Sequence, residues 1–310
     1  MDNRDDIKGF LASRRGKLTP DMVGLPTSAR RRVPGLRREE VAVLAGVSTE
    51  WYTRLEKGHI GEVSEEVLDA VAVALRLDDD ERTYLHDLAR AAKPAHRKTV
   101  RRRDVPVTPQ VQWMLDSITM SAAFVRNGHL DVIGSNALGR ALHAPMFASP
   151  TTAEHGRPNF ARYHFLDDGS KDFFVDWEAG AAATVALLRA EAGREPYDKA
   201  LRELIGELST ASTQFSAFWA SHDIRIRHEG TKRLQHPEVG EIELTYQSVD
   251  LPTGSRAWHD LSFYTAEPGT SHEERLRILA SLAASTAHSR DPHEGVRPIP
   301  TVGREERQRE

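Results

Sequence analysis

The 310-residue chain contains no cysteine. This excludes disulfides, thiolate zinc sites and cysteine nucleophiles, and it fits a reducing compartment. No run of about 18 apolar residues is present, so nothing reads as a membrane span. The opening MDNRDDIKGF is too acidic and polar for a secretory leader, and the expectation is a cytoplasmic protein. Lysine is scarce, with 8 among 42 basic residues. A GC-rich gene produces that arginine bias without any functional cause. Catalytic signatures are missing too: no His-Glu-x-x-His, no glycine-rich phosphate loop, no Gly-x-Ser-x-Gly elbow. His222 and His228 stand six apart with no third ligand beside them, and nothing among the 46 acidic residues singles out a catalytic pair. The expectation is no enzyme, no metal and no cofactor.

The length suggests two domains, and 39% hydrophobic against 28% charged residues suffices for real cores. Formal net charge is −4, which taken whole argues against a nucleic-acid partner. Residues 1–92 read as consecutive short helices with no strand-like alternation, an all-α N-terminal domain. Ile7, Phe10 and Leu11 give the first helix an apolar face. Gly24, Pro26, Pro34 and Gly35 then block regular structure. Residues 93–107 are Pro-bounded and carry Lys93, Arg97, Lys98, Arg101, Arg102 and Arg103, a linker pattern.

Residues 108–287 read as one α+β domain. Thr108-Pro109 opens a helix whose apolar residues are Trp113, Met114 and Ile118. Two strands follow, joined by the hairpin signal Asn127-Gly128. Five helices, three more strands and a last helix over 272–284 close the domain. One antiparallel sheet with helices on a face accounts for this order. Residues 288–310 are polar and charged, and read as a disordered tail.

The most informative stretch is 38–57. Two short helices meet at Gly46, a residue free to take a left-handed turn, and Ala42 is small enough for the helices to approach. Val41, Ala45, Val47, Tyr52 and Leu55 share the buried face. Ser48, Thr49, Glu50, Thr53, Arg54 and Lys57 then point outward from the second helix, as base-reading side chains of a helix-turn-helix do. Arg37 and Arg38 begin the first helix and are placed to meet phosphate. Arg54 either pairs with guanine or bridges to Glu50 at i, i+4, and Glu50 either reads a cytosine amino group or orients Arg54. Splitting the charge removes the objection of the net −4. Residues 8–38 hold nine basic residues and one acid, a stripe of +8 suited to phosphate contact.

GLRREEVAVLAGVSTEWYTRLEKG resembles the helix-turn-helix of the Xre/Cro type. With the preceding RRRVPG it is similar to the DNA-binding half of the MmyB-like transcription regulators. WEAGAAATVALLRAEAGREP, FWASHDIR, GTKRLQHPEVGEIELTY and FYTAEPGT resemble segments of that family's ligand-binding domain. The resemblance covers roughly residues 5–285. It implies a PAS-like antiparallel sheet in the second domain and a link to fatty-acid binding.

Aromatics cluster in that second domain. Arg162, Phe165, Trp177, Phe218, Trp219, His222 and Arg225 are the candidate ligand residues. Trp219 and His222 would share a helical face, and Arg162 or Arg225 would hold a carboxylate. The competing reading makes most of these aromatics ordinary core. The expected partners are a double-stranded DNA operator, a small amphipathic ligand such as a fatty acid, and a second copy in a homodimer, with no membrane. Repression is favoured over activation, because occupying a promoter needs no polymerase contact. One rival has the second domain bind a protein instead of a small molecule. Another is an enzyme with a DNA-binding leader.

Overall fold

The computed structural model describes residues 3–26, 31, 33–61, 63–93, 106–224, 226–252 and 259–288. Most of the expected linker and the expected tail lie outside the described residues, as do Arg30 and Arg32 of the basic stripe and the ligand candidate Arg225.

The N-terminal part is helical, as its patterning implies. Helices α1 (Asn3–Lys17), α2 (Arg38–Leu44), α3 (Thr49–Glu56), α4 (Glu65–Ala74) and α5 (Asp79–Ala92) surround one core. Asp78 caps α5, its side chain accepting from the Glu81 amide while Glu81 reaches back. Between α1 and α2, where glycine and proline were expected to block regular structure, a 3-10 turn (Asp21–Val23) forms among the described residues. Ile7, Phe10 and Leu11 are buried, and Phe10 meets Tyr84 edge to face at 5.2 Å.

The C-terminal part begins with α6 (Pro109–Ser117) and the hairpin β1 (Ala122–Asn127) and β2 (Val132–Ser135). Eight helices follow: α7 (Ala137–Leu142), α8 (Ala144–Phe147), α9 (Pro150–His155), α10 (Phe160–Leu166), α11 (Gly169–Phe173), α12 (Trp177–Arg194), α13 (Lys199–Ala211) and α14 (Thr213–Ala220). Strands β3 (Glu229–His236), β4 (Gly240–Asp250) and β5 (His259–Thr265) and helix α15 (Ser271–His288) complete it. The sheet order is β2-β1-β5-β4-β3, antiparallel throughout. The α+β class and the antiparallel sheet are therefore as the sequence implied.

Register decides which residues share a face. Tyr246 pairs with Tyr264, and Lys232 with Leu244, so these four share the inner face with Phe124. Ala123 and Val125 point the other way, into a small second core with Leu115 and Leu261. β1 is thus buried on both sides. Leu115 is the buried residue of α6, Val111 and the following Ile118 pack beside it, and Trp113 and Met114 stand exposed, contrary to the face expected for that helix. A helix laid over two short strands has room to bury one ridge, and Leu115 lies on it.

The two parts meet along α12. Ile224, which follows α14 in the chain, is buried in the N-terminal core, and the Ile226 amide donates to Asp80 at 2.9 Å. Arg189 of α12 is fully buried, bonded to Nδ1 of His222 at 3.0 Å and to the Trp219 carbonyl. Arg14 of α1 donates to the His222 carbonyl at 2.7 Å.

His222 lies so close to α1 that a Cβ added at Gly9 would sit 2.3 Å from its ring. Glycine to alanine inside a helix ordinarily stabilises by about 1 kcal/mol. Here Gly9→Ala is expected to destabilise by about 1–3 kcal/mol, because the clash overpacks the seam. In a His222→Ala background the same change should stabilise. Urea titration of the four variants checks this, and an equal effect in both backgrounds would refute the contact.

Candidate functional site

The DNA-facing element is α3. Ser48 caps it, its hydroxyl accepting from the Trp51 amide at 3.1 Å. Gly46 sits at φ +66° and makes the turn between α2 and α3, the conformation that glycine takes without strain. Tyr52, Leu55 and Glu56 are buried on one side of α3, and Ala42 on the facing helix is buried as well. Thr49, Glu50, Arg54 and Lys57 are exposed on the other side, with Thr53 partly so. Thr53 donates to the Thr49 carbonyl at 2.7 Å. Among the described residues Glu50 and Arg54 form no ion pair with each other, so the i, i+4 bridge is not made and the Arg54 guanidinium remains available.

The basic stripe needs correction. Arg15 grips Glu56 through two bonds at 2.9 and 3.0 Å. Arg31 is bidentate on Glu40 at 2.6 Å, which holds the Glu40 carboxyl down to about 2. Arg14 pairs with Glu81 at 2.5 Å. Lys17 pairs with Asp223 at 2.7 Å, so four of the nine cations are neutralised by acids outside the 8–38 window, which a local charge count cannot register. Arg38 is half-exposed and shares Glu56 at 2.9 Å, and exposed Arg37 contacts Glu39 at 3.2 Å. Burial raises the Glu56 carboxyl, yet Arg15 and Arg38 outweigh it and hold the group below its usual range.

A cavity of about 480 Å³ lies between α12, α10, β3 and β4. Its wall on α12 is built of small residues, Ala179, Gly180, Ala182, Ala183, Thr184 and Ala186, which leave the space open. Phe160 and His164 come from α10, Phe174 from the loop after α11, and Tyr246 from β4. Burial lowers His164 to about 4, so its ring is neutral near pH 7. Arg14, Lys17 and Glu81 reach the rim from the N-terminal part.

Lys232 was not foreseen. Its Nζ lies 5.2 Å from the Tyr246 ring and 5.9 Å from that of Tyr264, on the inner face of the sheet. Desolvation, with Arg126 nearby, lowers its ammonium to about 8. The signal was present in the chain: Lys232 falls in phase with buried Leu234 and His236, so β3 turns a lysine inward.

The described ligand candidates sit elsewhere. Arg162 is committed to Glu207 through bonds of 2.9 to 3.1 Å. Phe165, Trp177, Phe218 and Trp219 pack against the main core, as the competing reading held for most aromatics. Helix α14 ends at Ala220 and His222 takes φ +54°, so Trp219 and His222 do not share a helical face. His222 turns to Arg189 and α1 instead. None of these six lines the cavity.

Two families match the chain. Residues 10–85 match a helix-turn-helix domain, and residues 107–279 match the MmyB-like transcription regulator ligand binding domain. No curated relative matches. A helix-turn-helix that presents free polar side chains, followed by a cavity-bearing α+β domain over more than half the chain, marks a DNA-binding transcription regulator: the protein belongs to the MmyB-like transcription regulators.

Proposed function

We propose that the protein is a cytoplasmic, homodimeric repressor that reads an inverted-repeat operator with α3 and answers to a fatty acid or acyl derivative bound in its C-terminal domain. The observation that carries the DNA half of this reading is the exposed row Thr49, Glu50, Arg54 and Lys57 on a helix whose other side is locked into the core. In this reading Arg54 reaches a base edge, while Arg37, Arg38 and Ser48 lie toward phosphate. Thr53, bonded back to α3, offers its methyl group to the groove.

A dimer fits this geometry because two recognition helices about 34–36 Å apart enter successive major grooves. A ligand that prefers one spacing of the heads then sets operator occupancy. Family membership and a roomy cavity support the ligand half.

The test uses an operator selected from random duplexes with the full-length protein. Arg54→Ala is expected to cost about 1–3 kcal/mol and to relax selection at one base position. Arg37→Ala should weaken all sequences alike and flatten the salt dependence of binding by about one unit of slope. Unchanged operator binding in both variants would remove α3 from the groove.

A further inference from the structure

We propose that Lys232, at the cavity bounded by α10, α12, β3 and β4, is the residue that holds the anionic head of the effector. The inference rests on the fatty-acid reading above and gives it a place and an anchor.

Charge is the first argument. Three carboxylates line the cavity, and each is engaged: Glu81 with Arg14 at 2.5 Å, Asp176 with Arg233 at 2.6 Å, Asp223 with Lys17 at 2.7 Å. Lys232 and Arg227 complete the charged lining, and neither has a carboxylate partner among the described residues. The cavity therefore carries an excess of positive charge. A desolvated ammonium without a counter-ion is costly, and an entering carboxylate relieves that cost.

Shape is the second. Phe160, Phe174 and the alanine face of α12 form an apolar wall of the kind an acyl chain covers, and one fixed charge in such a cavity sets orientation. Position is the third. Arg14 lines the cavity and also donates to the His222 carbonyl at the seam between the two parts. A ligand in this cavity thus touches the DNA-binding half directly, as a ligand that biases the placement of that half must.

Lys232 faces Arg126 on β1, Tyr246 on β4, Asp260 and Tyr264 on β5, His164 on α10 and His143 after α7. Both histidines are held neutral above pH 5, and the Arg126–Asp260 pair at 2.6 Å is internally balanced. The ammonium is the group in this set that titrates between pH 7 and 9.5, losing its proton near 8.

Calorimetry of the full-length protein with decanoate and with 1-decanol tests the proposal. The expected result is that decanoate binds more tightly than decanol, and that its affinity falls at least tenfold from pH 7 to 9.5. In Lys232→Met the affinity for decanoate should drop at least tenfold and lose its pH dependence, with decanol unaffected. Ala183→Phe, which fills the cavity, should abolish both. Wild-type decanoate affinity in Lys232→Met overturns the anchor. Unchanged binding of both probes in Ala183→Phe as well places the effector elsewhere and leaves the ligand-sensing reading standing. Failure of the wild-type protein to bind either probe overturns the amphiphile reading itself, and this proposal with it.

Discussion

Replacing Glu56 by Gln is expected to cost the protein about 3 kcal/mol and most of its operator affinity. The carboxylate is 1% exposed at the end of α3 and accepts from Arg15 and Arg38, four bonds in all. It therefore ties the recognition helix to α1 and α2 at once. Removing one partner of a buried ion pair costs roughly 3–5 kcal/mol, because the other charge stays behind without compensation. The lower end applies, since half-exposed Arg38 turns to water while Arg15, 19% exposed, cannot. A loosened α3 no longer presents Glu50 and Arg54 at one fixed angle, so binding should fall beyond the loss of folded protein. Urea titration and operator binding measure the two effects. A stability change within 1 kcal/mol of wild type would show that apolar packing, and not this ion cluster, sets the angle. The double variant Arg15→Leu, Glu56→Leu should recover part of the stability.

Acid should destabilise the C-terminal domain before any ordinary carboxylate titrates. Burial lowers His143 to about 3 and His164 to about 4, from an unfolded value of 6.5. A histidine lowered on folding leaves stability intact above 6.5 and erodes it as the pH falls toward the folded value. Between pH 7 and 5 each of the two should remove about 2 kcal/mol, about 4 together. His222, pressed to about 4 by burial and by Arg189, acts in the same direction. His129 opposes them: burial lowers it, but the Asp198 carboxylate at 3.1 Å outweighs burial and raises it, so its contribution grows as pH falls. Two deeply buried rings against one leave a net loss. Midpoints of urea unfolding at pH 7 and 5 check this, and an unchanged midpoint at pH 5 would refute it. His143 sits among Phe124, Phe160 and Tyr264 with its Nδ1 unpartnered, so His143→Phe should remove about half of the slope.

Much of this architecture is legible in local pattern. The helices of the N-terminal part, the turn at Gly46 and the outward row on α3 follow from spacing within about ten residues. So do the Asn127-Gly128 hairpin and the alternation in β4. A cap, a turn and an amphipathic face are contacts between near neighbours, and the sequence states them directly.

Charge pairing is different. Arg15 meets Glu56 across 41 residues, and Arg14 meets Asp223 across 209. In the stripe of +8, every described cation except Lys8 thus has an acid partner once the chain closes. Arg162 reads as a ligand group because it flanks aromatics in sequence, and His222 because it stands three residues after Trp219, but Glu207 and Arg189 claim them in space. Lys232 showed the reverse. Its phase on β3 points inward, yet only the assembled sheet leaves it beside an open cavity. The sequence by itself determined the two kinds of domain, the helix-turn-helix and the family. Tertiary structure decided which charges are spent and which are free, because the partner of a charge is set by distance in space, and distance along the chain does not constrain it.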